Sequence, residues 1–443
     1  MPFSTSTRRR TTAGPLKFLR QSTRGGETEG NMRNFAKERK DDRTGVDLET
    51  ALALIAHDVA PIAETESIPL AESLGRILCE DVHAQGDLPP FDRSPLDGYA
   101  LRSEDTVSAG EVSVVLSVVD TVHAGRMGDV PVTRGTAVRL MTGAPIPSGA
   151  DCVVPFERVE EDGETIRLSR PLARHQNYCF RGEDVRRGAV VVRSGARADA
   201  RSIGVLASSG RGTLRVFRRP RIAVFSTGDE LVPAGTPLGP GSIHDSNSLI
   251  MEFALRALGM APTNLGCLPD DEGRVAELIR SLSDHDLIVT SGGVSAGDKD
   301  IFHDVLDRLG AETIFRRVRV KPGTPVMVNR VGRSVLATLS GNPFAMFVNL
   351  QLFVRPILAA LTGDSGLLLQ AGSAEMENDY PKASPMRRFL RATLRGPRVR
   401  APEGDSPGMI GNMADSDVLI DIPAGNKGLR AGETVRLWHI RPR

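Results

Sequence analysis

The chain reads as a multidomain α/β-plus-β protein, built around a doubly wound, mainly parallel α/β domain at residues 220–365. Two observations predict this. From Arg221 onward, short apolar runs alternate with amphipathic helical stretches, the order that parallel sheets require. Before Arg221 and after Gly363, short β-type runs are punctuated by Gly and Pro.

In the central part, residues 222–225 form a wholly apolar strand of the kind covered on both sheet faces. Residues 248–258 place Leu249, Ile250, Phe253, Ala254, Ala257 and Leu258 on one helical face, with Gly259 as the stop signal. A strand at 264–268, a helix through Val275, Leu278, Ile279 and Leu282, and a strand at 286–290 follow. A helix near 302–309, strands near 314–320 and 335–339, and a helix at 344–361 complete the domain. That last stretch is the longest apolar run. Asn349, Gln351, Arg355 and Pro356 interrupt it, so a buried helix is expected and no membrane span.

The flanks are read more coarsely. Residues 1–45 hold Arg8-Arg9-Arg10 and no lasting hydrophobic period, and read as a disordered basic tail. Helical spacing begins at Val46 and ends before Pro61, and a second short helix is expected at 71–78. Strands are expected at 112–119, 137–141, 152–154 and 190–192, and again at 389–394, 418–422 and 434–440.

Composition limits the function. With 443 residues the chain exceeds one compact domain. A net charge of +1 supplies no global field for nucleic acid or an anionic membrane, and 4% aromatic content supplies few stacking platforms. No nucleic-acid partner is expected, so any anion site must be local. Cys79, Cys152, Cys179 and Cys267 are scattered, which suits isolated thiols better than a zinc cage or disulfides. No apolar stretch follows the N-terminal arginines, so a cytoplasmic protein is expected.

Ligands of open parallel sheets bind beyond the carboxyl ends of the strands. Those ends carry Ser226-Thr227-Gly228-Asp229-Glu230, Asp270-Asp271, Ser291 to Asp300, and Ser340-Gly341-Asn342-Pro343, with His244-Asp245-Ser246-Asn247 before a helix. Gly292, Gly293 and Gly297 let backbone N–H groups approach a phosphate. Glu230, Asp245, Asp270, Asp298 and Asp300 crowd the rim, and all-oxygen ligands favour Mg²⁺. Arg317, Arg319 and Lys321, read as one strand, supply positive charge for an oxyanion. Asp245, Asp270 and Asp271 have a structural alternative as helix caps. The loop around Asp97 is open between a rigid turn and an interface element.

From Val46 onward the chain resembles the molybdopterin molybdenumtransferases, the molybdenum insertases of the MoeA family. An ordered series carries the resemblance: Pro90-Phe91-Asp92-Arg93-Ser94-Pro95-Leu96-Asp97-Gly98-Tyr99-Ala100, then Met141-Thr142-Gly143-Ala144-Pro145-Ile146-Pro147, then Arg181-Gly182-Glu183-Asp184. Phe225 to Leu231, the Ser291 to Asp300 loop, Lys321-Pro322-Gly323 and Gly341-Asn342-Pro343 complete it.

The resemblance implies an elongated N-terminal domain at 46–64 and 185–219, and a β-rich insertion at 65–184. It implies a MogA/MoaB-like α/β domain at 220–365 and a small C-terminal β domain at 366–443. It also implies a homodimer, insertion of molybdate into adenylylated molybdopterin with Mg²⁺-dependent release of AMP, and a molybdopterin adenylyltransferase as upstream partner. By matching position, Asp270 and Asp300 would support the metal and the attack on phosphate, with Glu230 beside them. Lys321, Ser340 and Arg317 would hold molybdate. Ser291, Gly292, Gly293 and Ser295 would cradle the pterin phosphate, with Thr227, Asp184 and Pro343 as further substrate contacts. Asp97 would face the site from a second subunit.

Two positions depart from the family's pattern. Thr324 stands where a second Lys is usual, and Ser340 where a Pro is usual. The lost cation weakens oxyanion attraction, with Arg317 and Arg319 as candidates to compensate, and leaves molybdate and tungstate both open. A non-catalytic carrier or scaffold with this fold, and an adenylyltransferase sharing the Gly-Gly-Val-Ser loop, are the rival readings. The motif series before residue 220 argues against the latter.

Overall fold

The strands Ile222–Thr227, Leu287–Ser291 and Ser334–Leu339 are buried along their whole lengths, as continuous apolar runs require when helices cover both faces of a sheet. The computed structural model describes residues 43–294 and 301–441, in two units: the chain up to Glu66 together with Phe217 onward, and Ser67–Val216. The expected tail, except for its last three residues, lies outside the described residues.

Numbering only the α/β layer, the strands are β1 (Thr44–Val46), β2 (Ile222–Thr227), β3 (Thr263–Leu268), β4 (Leu287–Ser291), β5 (Glu312–Val318), β6 (Met327–Val331) and β7 (Ser334–Leu339). They form one sheet in the order β1-β5-β6-β7-β4-β2-β3. All pairings are parallel except those of β6, which runs antiparallel to both neighbours. The doubly wound, mainly parallel architecture therefore holds. The strand β6 escaped the sequence reading, because the run Met327-Val328-Asn329-Arg330-Val331 breaks its apolar stretch with Asn329 and Arg330.

The helices are α1 (Leu48–Asp58), α2 (Asn247–Ala257), α3 (Glu272–Ser281), α4 (Ile301–Leu309), α5 (Pro343–Asn349) and α6 (Arg355–Thr362). Met251 and Leu255 of α2, Phe344 and Met346 of α5 and Ile357 of α6 pack in one core with α1. Val275, Ile279, Phe302 and Val305 of α3 and α4 pack on the other face. A π-helical turn, Leu350–Val354, joins α5 to α6, and Gly363 (φ 73°) ends the run. The whole segment Pro343–Thr362 is long and apolar enough to cross a membrane, but it is almost wholly buried in this core. Its polar interruptions are used internally: Arg355 donates to Gln351 Oε1 at 3.0 Å and to the Leu367 carbonyl at 2.6 Å.

Residues 46–64 were expected to open the elongated N-terminal domain. They pack instead on the α/β layer, which corrects that boundary. β1 pairs with β5 through Thr44–Arg316 and Val46–Val318, and Leu48, Ala51 and Ile55 enter the sheet core. Asp47 caps α1 by accepting the Thr50 N–H at 2.7 Å.

Beyond α6 the strands Gln370–Met376, Arg387–Arg395, Arg398–Arg400, Val418–Ile422 and Thr434–His439 close into a small barrel, because Arg387–Arg395 pairs with Val418–Ile422 as well as with Arg398–Arg400. The short strand Val320–Lys321 joins it, with Val320 opposite Arg387 and Lys321 opposite Arg388.

In the second unit, six strands form a mixed sheet in the order Cys152–Pro155, Gly98–Leu101, Thr136–Leu140, Val114–Val122, Thr165–Leu168, Glu160–Asp162. The expected helix at 71–78 is a single turn, Leu70–Glu72. Ser73 closes it on the Leu70 carbonyl, and Gly75 at φ 75° turns the chain away. A helix that the sequence reading missed, Ala200–Ser208, starts with a capping box of Asp199 and Ser202. All four cysteines are free thiols.

Candidate active site at the strand ends

Parallel pairing brings the carboxyl ends of the central strands level. Ser226 lies opposite Ser291 and Ser291 opposite Leu339, while Thr227 lies opposite Leu268. The strands β2, β3, β4 and β7 thus deliver Thr227, Asp270, Ser291 and Ser340 to one edge.

The glycines after β4 are required by space as much as by conformation. Gly292 (φ 100°) lies so close to β2 that a Cβ there would come 2.3 Å from the Thr227 carbonyl oxygen. Gly293 (φ 64°) packs on α4, where a Cβ would meet the Phe302 ring at 2.9 Å. Both have backbone angles that side chains disfavour. The Gly292 N–H donates to the Leu339 carbonyl at 3.3 Å. Ser295, Gly297, Asp298 and Asp300 lie outside the described residues.

Two buried amides tie this edge together. Asn247, the first residue of α2, donates through Nδ2 to the Ser291 hydroxyl at 2.6 Å and to the Gly341 carbonyl at 2.8 Å. Asn349, at the end of α5, accepts the Ser340 N–H on Oδ1 at 3.2 Å and donates through Nδ2 to the Gly323 carbonyl at 2.8 Å. Pro343, at the first position of α5, belongs to the same loop as Ser340. Asn247 had a sequence signal in its motif beside Asp245. The signal for Asn349 was a polar residue inside an apolar run.

Several acids divide as their cap alternatives suggested. Asp245 accepts the Ser248 N–H at 3.1 Å, and Asp271 caps α3 by accepting the Arg274 N–H at 2.8 Å. Asp270 donates its N–H to Asp229 Oδ1 at 3.1 Å. The Glu230 carboxylate folds back over the backbone at Gly228, where it would lie 2.8 Å from a Cβ. Among the described residues, no three His, Cys, Asp or Glu side chains gather around one point. Of the expected magnesium ligands, Glu230 and Asp270 are described here, and Asp300 lies outside the described residues.

The basic side differs from expectation. Arg317, Arg319 and Lys321 do not share a strand: Arg317 is next to last in β5 at φ 54°, while Lys321 belongs to the strand Val320–Lys321 of the barrel. Arg319 is spent on the start of the sheet, with Nη1 on the Gly45 carbonyl at 2.6 Å and Nη2 at 3.6 Å from Asp47. It cannot replace the cation absent at Thr324. Thr324 closes its own loop, donating its hydroxyl to the Val320 carbonyl at 2.6 Å. Lys321 and Arg317 are exposed and have no carboxylate within ion-pair distance among the described residues.

Asp97 and Asp184 belong to the other unit. Asp97 Oδ1 accepts from the Thr142 N–H at 2.6 Å and the Thr142 hydroxyl at 2.8 Å. These two hydrogen bonds hold its carboxyl below the ordinary range although it is exposed. Asp184 is exposed, and its N–H donates to the Leu88 carbonyl at 3.1 Å.

An apolar cavity of about 580 Å³ lies between α2, α5 and residues 410–416, lined by Leu249, Phe253, Ile410 and Met413. Such walls do not suit an oxyanion. Hydroxyls and close-packed glycines gather instead at the carboxyl edge of the open sheet, the place where α/β enzymes of this architecture carry their sites.

The comparisons with known proteins agree. Residues 46–210 match the MoeA N-terminal region (domain I and II), 223–360 a probable molybdopterin binding domain, and 373–440 the MoeA C-terminal region (domain IV). The molybdopterin molybdenumtransferase of Bacillus subtilis is 35% identical over 410 residues, covering 90% of this chain and 95% of that protein. The enzyme of the same name from Staphylococcus epidermidis is 35% identical over 375 residues, 83% of this chain and 90% of that one. A crystal structure of the molybdopterin biosynthesis MoeA protein from Pyrococcus horikoshii superposes with a TM-score of 0.79 at 30% identity, covering 90% of this chain and 100% of that one. The chain belongs to the molybdopterin molybdenumtransferase (MoeA) family.

Proposed function

We propose that this enzyme inserts molybdenum from molybdate into adenylylated molybdopterin, releasing AMP and Mo-molybdopterin. One observation carries the reading. The strand edge that holds Thr227, Ser291 and Ser340 is joined through Asn349 to the loop bearing the exposed Lys321. Molybdate is a dianion, so Lys321, Arg317 and the Ser340 hydroxyl would bind it by charge and hydrogen bonding. Ser291 with Gly292, Gly293 and Ser295 would receive the pterin phosphate, with Thr227 and Pro343 beside it. Asp270 and Asp300 are the acids assigned to phosphate cleavage. Magnesium, with Glu230 near it, would neutralise charge at the departing phosphate.

In this reading the protein is cytoplasmic and acts as a homodimer. Asp97 and Asp184 of one copy then serve the site of the other. A molybdopterin adenylyltransferase supplies the substrate.

The test incubates purified protein with adenylylated molybdopterin, Mg²⁺ and molybdate. Molybdate-stimulated AMP release with formation of Mo-molybdopterin is expected, and its absence overturns the reading. Binding of molybdopterin without AMP release would mark a carrier. Mixed dimers of Asp97→Ala and Asp300→Ala chains should regain activity that neither variant has alone. Tungstate assayed in parallel tests anion preference.

A further inference from the structure

We infer that Asn349 is a positioning residue for the anion pocket, setting the distance between Ser340 and the Lys321 loop. The inference rests on the proposed reading that these two groups hold the oxyanion. Asn349 is completely buried, yet it stands in an otherwise apolar helix, where an unneeded amide is costly. It ends α5 just where the π-helical turn Leu350–Val354 begins, a distortion often found at functional sites.

Its two hydrogen bonds go to different loops. Oδ1 takes the Ser340 N–H, and Nδ2 gives to the Gly323 carbonyl, two residues beyond Lys321. The contact is close: a Cβ on Gly323 would lie 2.4 Å from Asn349 Nδ2, and Gly323 sits at φ 94°. Thr324, which could have carried a second cation, is closed on the Val320 carbonyl. The pocket therefore depends on where Lys321 stands relative to Ser340, and one amide spans that gap.

The amide is the group suited to this task. It offers an acceptor to an N–H and a donor to a carbonyl in one plane. A carboxylate would set a second acceptor against the Gly323 carbonyl. An aliphatic side chain would leave both backbone groups buried and unpaired. A tetrahedral dianion held between the two loops is sensitive to displacements of the order of 1 Å.

The experiment measures Mo-molybdopterin formation by the full chain against molybdate at saturating adenylylated molybdopterin, and then the reverse. Asn349→Asp and Asn349→Leu should raise the KM for molybdate by about tenfold or more. The KM for the pterin substrate and kcat at saturating molybdate should stay within about twofold of wild type. Asn349→Thr keeps a hydroxyl that can donate and accept, and should fall between. It is the variant to use if Asn349→Asp does not fold. Asn329→Ala removes an equally buried amide in β6 and should leave the molybdate KM unchanged. A wild-type enzyme without molybdate-dependent product overturns the functional reading itself. An active wild type with unchanged molybdate KM in the variants, or with both KM values rising together, overturns the role of Asn349 alone.

Discussion

Asn247 Nδ2 lies 2.6 Å from the Ser291 hydroxyl and also reaches the Gly341 carbonyl, so one side chain on α2 links the ends of β4 and β7. Asn247→Ala leaves both groups without this partner. It should cost about 2 kcal/mol of stability, near 1 kcal/mol for each hydrogen bond. Affinity for molybdopterin should fall about tenfold with it, because the Ser291 loop loses its anchor. Urea denaturation and direct binding separate the two effects.

Gly292 should tolerate no side chain. Gly292→Ala places a methyl 2.3 Å from the Thr227 carbonyl at φ 100°, so β2 and the loop must part. A loss of about 3 kcal/mol and of insertion activity is expected. Gly332→Ala is the comparison: φ is 59°, but nothing lies within 4 Å, so about 1 kcal/mol should be lost and activity kept. Thermal melts and the AMP-release assay check both.

Arg317 sits in the left-handed region, where Asn is better tolerated, and its side chain is exposed. Arg317→Asn should leave stability within about 0.5 kcal/mol of wild type. The KM for molybdate should rise several-fold at low ionic strength, with a smaller difference at high salt. Kinetics at two salt concentrations test this. A salt-independent effect would point away from charge.

Asp286, just before β4, receives Arg218 in two hydrogen bonds of 2.6 and 2.9 Å, and the Arg221 N–H at 2.7 Å. Burial alone would raise its pKa, but Arg218 and the Arg221 N–H outweigh it and hold the carboxyl below the ordinary value. The folded pKa is depressed, so this stabilisation is present above about pH 4 and is lost as pH falls through the folded value. Arg218→Met should destabilise the chain by about 3 kcal/mol at pH 7, with a smaller difference near pH 3. Denaturation at both pH values measures it.

Much of this was readable before the fold was seen. The strands at 222–225 and 286–290 were legible because burial on both faces demands unbroken apolar runs. The strand β6 was not, since Asn329 and Arg330 interrupt its pattern and its place in the sheet comes from pairing with β5 and β7. Arg319 looked like a pocket cation by spacing alone, and its contacts with Gly45 and Asp47 lie more than 270 residues away along the chain.

The sequence by itself determined the alternation of strand and helix, the glycine loop after β4, and the family, because these are local patterns and ordered motifs. Tertiary structure alone decided that α1 packs on the α/β layer, that Lys321 joins the C-terminal barrel, and that Asn247 and Asn349 brace the strand edge. The physical reason is distance along the chain. A hydrogen bond between Asn349 and Gly323, or between Asn247 and Gly341, has no period and no motif, and it exists only once the sheet has brought those strand ends level.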